Sequence, residues 1–135
     1  MNELRDKKRE VILRWLHKAE SDIKVARQIL EMPEPPTDAV CFHCQQAVEK
    51  YLKAFLTLKD VRIKKIHDLN VLLDMCIEED KEFENIDRDR ITSLSHFAVE
   101  IRYPDEFYIP SVEEAKECTA PHLSRSKQGR IQSPG

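Results

Sequence analysis

Glycine is almost missing from this 135-residue chain, and its two copies, Gly129 and Gly135, both fall in the last seven residues. Nothing from Met1 to Gln128 can therefore form a glycine-rich phosphate loop or an Asn-Gly hairpin, which removes P-loop and dinucleotide-fold readings. The same shortage argues against a β architecture, where tight turns need residues that tolerate positive φ. Aromatic residues are scarce as well, at 7%, in keeping with helix-on-helix packing. No apolar run approaches the roughly 20 residues that span a bilayer. The amino terminus, Met1 to Glu10, mixes charges of both signs with no apolar block, unlike a secretory signal. The expected location is the cytoplasm, with no membrane association.

What is present is a charged, helix-forming chain: 41% hydrophobic and 35% charged. Its length suits one domain that buries about two thirds of its unfolded surface without disulfide or metal staples. The net charge of −3 hides an asymmetry, because the stretch from Thr119 carries Arg125, Lys127 and Arg130 and no acid, leaving 19 bases against 25 acids before it. A body that negative is a poor nonspecific ligand for nucleic acid, which demands clustered cations to displace counterions. DNA is not an expected partner.

Apolar residues at Ile12, Trp15, Leu16, Ala19, Ile23, Ala26 and Leu30 recur in steps of three and four, predicting one long amphipathic helix over Leu4 to Leu30. Met32-Pro33-Glu34-Pro35-Pro36 must end it, since proline lacks the amide hydrogen and biases its predecessor away from helix. Thr37 or Asp38 can cap a second helix running to about Leu58, with Val40, Cys44, Ala47, Val48, Tyr51, Leu52, Phe55 and Leu58 inward. The basic segment Lys59 to Lys65 reads as a connection. Leu69, Leu72, Leu73, Cys76 and Ile77 predict a shorter third helix with His67 and Asp68 in its first turn, where acid suits the helix dipole. Glu78 to Glu84 is an acidic connection. A fourth helix begins near Ile86 or Asp87, carries Ile91, Leu94, Ala98 and Ile101, and stops at Tyr103-Pro104. Ser111-Val112-Glu113-Glu114 after Pro110 has the spacing of a capping box and opens a fifth helix that Pro121 cuts short. The fold class is all-α, an antiparallel up-and-down bundle of four main helices plus a short fifth. The bundle is expected over residues 1–123, with 124–135 a polar, mobile tail.

Four pieces in order now carry a resemblance. Trp15-Leu16-x-x-Ala19-x-x-Asp22-Ile23-x-x-Ala26, then Gln45 to Ala54, then His67-Asp68-Leu69, then Arg102-Tyr103-Pro104 together resemble the HEPN domain, over roughly Leu13 to Lys116. The resemblance implies the same helical bundle, a homodimer, and work alongside a minimal nucleotidyltransferase, as in toxin and antitoxin pairs. Many family members are metal-independent ribonucleases that carry Arg, four to six residues, then His near the end of the fourth major helix. Here Arg102 is followed by Phe107, Tyr108 and Ile109 with no histidine, so in-line attack by a ribose 2′-hydroxyl loses its obvious general acid or base. A nucleotide-binding or partner-binding role fits better than ribonuclease activity.

The candidate residues each have a plain structural reading as well. His67 either caps the third helix in a satisfied polar niche or meets Glu49 or Lys53 and Arg102 in a cleft between helices. On the second reading Gln45, Glu49, Lys53, His67, Arg102 and Tyr103 line a nucleotide-binding cleft, Arg102 and Lys53 holding phosphate and His67 or Gln45 the base or ribose. Arg102 and His67 are then the candidates for any catalysis. Cys41-Phe42-His43-Cys44 has the spacing of half a zinc site, but no second close pair follows, and inside a helix the two thiols share a face where they pack as small apolar groups. No metal or cofactor is expected. His17, His43, His96 and His122 read as surface or core residues, and Trp15 and Tyr51 as core. Lys59, Arg62, Lys64 and Lys65 read as a solvated loop, with RNA or phosphate contact as the alternative. His96 lies six residues before Arg102, about 120° away around the helix axis, so the two could share a site only across a dimer. Three functions stay open: a nucleotide- or partner-binding protein acting with a nucleotidyltransferase, a ribonuclease whose divergent site uses Arg102 with Tyr108 or the second subunit's His96, and a non-catalytic interaction module.

Overall fold

The structure, a computed structural model, describes residues 2–63, 65–100 and 109–119. Five α-helices follow in order: α1 Asn2–Leu30, α2 Thr37–Leu58, α3 Leu69–Glu79, α4 Arg88–Glu100 and α5 Val112–Cys118, with a 3-10 turn at Lys81–Asn85 between α3 and α4. No strand occurs among the described residues. The molecule is an all-α, antiparallel up-and-down bundle of four main helices with a short fifth.

Helix α2 is the central element and packs against all four others. That position explains why its buried face is wider than a single apolar stripe: Val40, Cys41, Cys44, Ala47, Leu52, Ala54 and Leu56 are all buried, and so are Gln45, Glu49 and Lys53. Around it Leu69, Leu72, Leu73 and Cys76 of α3, Ile91 and Leu94 of α4, Ala115 of α5 and Ala26 of α1 complete one core. Phe55 and Phe83 close its edge with ring centroids 4.5 Å apart.

Helices α1 and α2 run antiparallel in a register that three polar contacts make explicit. Lys8 Nζ lies 3.1 Å from Asp60 Oδ2, Lys53 Nζ sits 5.4 Å above the Trp15 ring, and Asp22 contacts both His43 and Lys50. Residues 8, 15 and 22 are seven apart and so fall along one stripe of α1. Fully buried Ala19, Ala26 and Ala47 let the two backbones approach.

Local chemistry sets the helix ends. After α1, the Glu31 and Met32 amides turn back to the Gln28 and Ile29 carbonyls before Pro33 halts the helix. At the end of α2 the Asp60 and Val61 amides bond the Thr57 and Leu56 carbonyls, and Asp60 takes φ 60°. This is the left-handed C′ position where glycine is usual, filled by an aspartate whose short polar side chain tolerates it. Asp68 accepts from the Asn70 and Val71 amides as the N-cap of α3. Arg88, at the start of α4, ties back to α3 through Asn70 Oδ1 at 3.1 Å and Asp74 Oδ1 at 2.6 Å. Ser111 and Glu114 form the expected capping box on α5.

Several expectations are corrected. Thr37 does not cap α2; it is the first helical residue, and its hydroxyl donates to the Pro110 carbonyl at 2.6 Å, fastening the approach to α5. Tyr51 and Leu58, expected inward, are exposed, Tyr51 on the wall of an open groove between α1 and α2. Trp15 is half-buried rather than core. His67 and Asp68 stand just before α3 instead of inside its first turn. The acidic connection after α3 winds into the 3-10 turn. The stop of α4 at Tyr103-Pro104, His122 and the tail at 124–135 lie outside the described residues.

Candidate polar site on the central helix

A carboxylate four residues before a lysine on a helix puts opposite charges one turn apart, in the more favourable order for the helix dipole. On α2 this pair is Glu49 and Lys53, and both are buried, with side chains 8% and 3% exposed. Lys53 Nζ donates to Glu49 Oε2 at 2.9 Å. Two charges brought this far from water hold together only if each is paired, and the indole face of Trp15 adds a second favourable contact for the ammonium.

His67 arrives from the α2–α3 connection and sets its Nδ1 2.9 Å from the same Oε2. Nδ1 therefore donates to the carboxylate, and Nε2 is the nitrogen directed away from it. The 3.5 Å separation of Lys53 Nζ and His67 Nδ1 is a contact and not a bond, since an ammonium has no lone pair and the Nδ1 proton is already directed at Glu49. The imidazole is 68% exposed. The arrangement is thus a buried ion pair whose solvent-facing edge is one histidine, oriented by a carboxylate. A histidine so held can accept or donate a proton, or a hydrogen bond, at Nε2.

Of the six residues expected to line a cleft, the structure brings together Glu49, Lys53 and His67. Gln45 is buried one turn earlier on α2 and accepts from the Gln46 side-chain amide at 2.7 Å. Arg102 and Tyr103 lie outside the described residues, as does Tyr108. His96 is exposed on α4.

A second carboxylate group was missed by sequence reasoning. Asp22 of α1 receives His43 Nδ1 on Oδ1 at 3.0 Å and Lys50 Nζ on Oδ2 at 2.5 Å. The signal was present, because His43 and Lys50 are seven residues apart on α2 and share a stripe, but only the antiparallel docking of α1 supplies the acid. Close by, a concavity of about 490 Å³ runs between α1 and α2, with Tyr51, Val48, Ile23 and Arg27 on its walls and Cys118 at its edge. It includes none of Glu49, Lys53 and His67.

Among the described residues no cluster of His, Cys, Asp and Glu is placed to hold a metal ion, and no helix is long and apolar enough to cross a membrane. None of the four cysteines is joined in a disulfide. Burial pushes the Cys76 thiol up to about 12, which makes it a packing group rather than a nucleophile.

Comparison with known proteins adds two findings. The HEPN domain profile matches residues 12–120. A putative toxin of Methanocaldococcus jannaschii is 32% identical over 118 residues, covering 77% of this chain and 76% of its own. No solved structure matches.

Proposed function

The chain belongs to the HEPN domain family, and from that premise we propose that it is a toxin-type member that binds a nucleotide or a protein partner at the polar site formed by Glu49, Lys53 and His67. The observation that carries this reading is the exposed His67 ring held by a buried carboxylate that Lys53 neutralises. A surface histidine with only a solvation role has no need of a buried ion pair beneath it. The name of the Methanocaldococcus jannaschii relative supports the toxin-type role. On this reading His67 contacts the ligand at Nε2, Lys53 holds the charge of Glu49, and Arg102 and Tyr103 supply further ligand contacts. The working form is a homodimer in the cytoplasm, and its partner is a minimal nucleotidyltransferase.

Isothermal titration with ATP, GTP and their monophosphates tests the nucleotide half. Binding heat is expected from at least one, with affinity at least tenfold weaker in His67→Ala. Absence of heat from all four overturns it. For the partner half, co-expression with a nucleotidyltransferase encoded beside the chain should give one co-eluting complex, and separate elution overturns that half.

One observation favours a second reading. The Glu49–His67 pair has the form of an oriented acid-base group, in which the carboxylate fixes the tautomer and Nε2 is presented to solvent. A metal-independent ribonuclease built on His67 and Arg102 predicts RNA cleavage in EDTA that is lost in both His67→Ala and Arg102→Ala. Cleavage undiminished by either substitution excludes it.

A further inference from the structure

Three of the four cysteines meet where α5 lies on α2. Cys41 Sγ and Cys118 Sγ are 3.2 Å apart, although 77 positions separate them in sequence. Cys44 follows on the next turn of α2. Cys41 and Cys44 are fully buried, while Cys118 is partly exposed. Cys118 also borders two concavities, the groove of about 490 Å³ between α1 and α2 and a smaller one of about 180 Å³ beside Arg90 and Leu94. A small solute can therefore reach Cys118 from either side, whereas Cys41 is fully buried.

We propose that Cys118 is a peroxide-reactive thiol and Cys41 its resolving partner, so that oxidation by hydrogen peroxide joins α5 to α2 through a Cys41–Cys118 disulfide. The Cys118 sulfur attacks one peroxide oxygen, forming an S–O bond and breaking the O–O bond, and the released hydroxide is protonated to water. The Cys41 sulfur then attacks the Cys118 sulfur; the S–O bond breaks, and the departing hydroxide takes the Cys41 proton as a second water. Two thiols lose two electrons and two hydrogens, and one peroxide becomes two waters.

The surroundings favour this division of roles. Hydrogen bonds from Cys41 and Cys44, with the Arg90 guanidinium nearby, hold the Cys118 thiol below the usual range, so its sulfur is the nucleophile. The hydrogen bond with Cys118, and then burial, push the Cys41 thiol up, which keeps it protonated until the sulfenic acid forms. Helix α5 has only seven residues and is also held by Thr37 on the Pro110 carbonyl, Arg27 on the Thr119 carbonyl, Arg90 on the Glu117 carbonyl and the buried Ala115. A covalent link at its last residue fixes the element that borders the α1–α2 groove.

The test uses the full chain treated with graded hydrogen peroxide, quenched, alkylated and mapped by peptide mass. The expected product is an intramolecular Cys41–Cys118 bond, two hydrogens lighter, reversed by dithiothreitol and raising the melting temperature by several degrees. Cys44→Ala should keep the bond. Cys41→Ala should leave a sulfenic acid on Cys118 that dimedone traps. The peptide map of the unaltered chain stands even if a variant fails to fold. A bond to Cys44 or Cys76, a bond between chains, oxidation of Cys76 as fast as Cys118, or no oxidation where a free-thiol peptide reacts would each overturn the proposal.

Discussion

At Glu49 one carboxylate oxygen accepts from both Lys53 and His67, and the three groups differ sharply in exposure, with only the imidazole in water. This difference makes their substitutions separable. Glu49→Gln leaves the Lys53 ammonium buried without its counter-charge and is expected to cost about 3–5 kcal/mol. The joint change Glu49→Leu with Lys53→Met removes both charges and should recover most of that loss. Urea denaturation of the single and double variants checks both, and a double variant as unstable as the single one would contradict the paired-burial account. His67→Ala removes an exposed ring and should change stability by less than about 1 kcal/mol, so its effect on ligand binding reports function and not folding.

Among the elements, the connection from α2 to α3 shows how a chain short of glycine turns a corner. Asp60 occupies the left-handed position after α2 with φ 60° and also meets Lys8 on α1. The ion pair is exposed and contributes little, so backbone preference decides the outcome of substitution. Asp60→Gly is expected to raise stability by about 0.5 kcal/mol, and Asp60→Val to lower it by about 1–2 kcal/mol. Thermal melts of the two variants test the order. Further along, Asp68 caps α3 through two amides, and because His67 is its neighbour the cap also fixes where the imidazole meets Glu49. Asp68→Ala should cost about 1 kcal/mol and weaken any ligand that His67 binds.

For the whole molecule, the governing feature is that α2 is enclosed by four other helices, with α1 laid along it in a fixed antiparallel register. Alanines at 19, 26 and 47 permit the close approach that lets Trp15 reach Lys53 and Asp22 reach His43 and Lys50. Ala26→Leu therefore should do more than strain the core by about 1–3 kcal/mol. By moving α1 outward it should loosen both polar groups together, which exchange of the slow α2 amides with deuterium would register across the helix. If protection falls only beside Ala26, the two groups are not coupled through the α1–α2 contact.

Much of this architecture was written in local sequence. The period of apolar residues placed α1, α2 and α3, Pro33 and its neighbours ended α1, and Ser111 with Glu114 opened α5. Glu49 and Lys53 as a pair were also legible, since four-residue spacing on a helix guarantees their proximity. Periodicity gives the phase of a helix about its own axis but not the number of neighbours it has. For that reason Tyr51 and Leu58 were expected inward and lie in solvent, while Trp15 was expected in the core and stands at its edge. Asp22 with His43, and Cys118 with Cys41, join elements distant in sequence and became visible only when the helices docked. Sequence alone determined the helices and their ends, because these depend on residues within a turn or two. Only the tertiary structure decided which charges and thiols face one another in the interior, because burial of a polar group is set by the partner that another element brings to it.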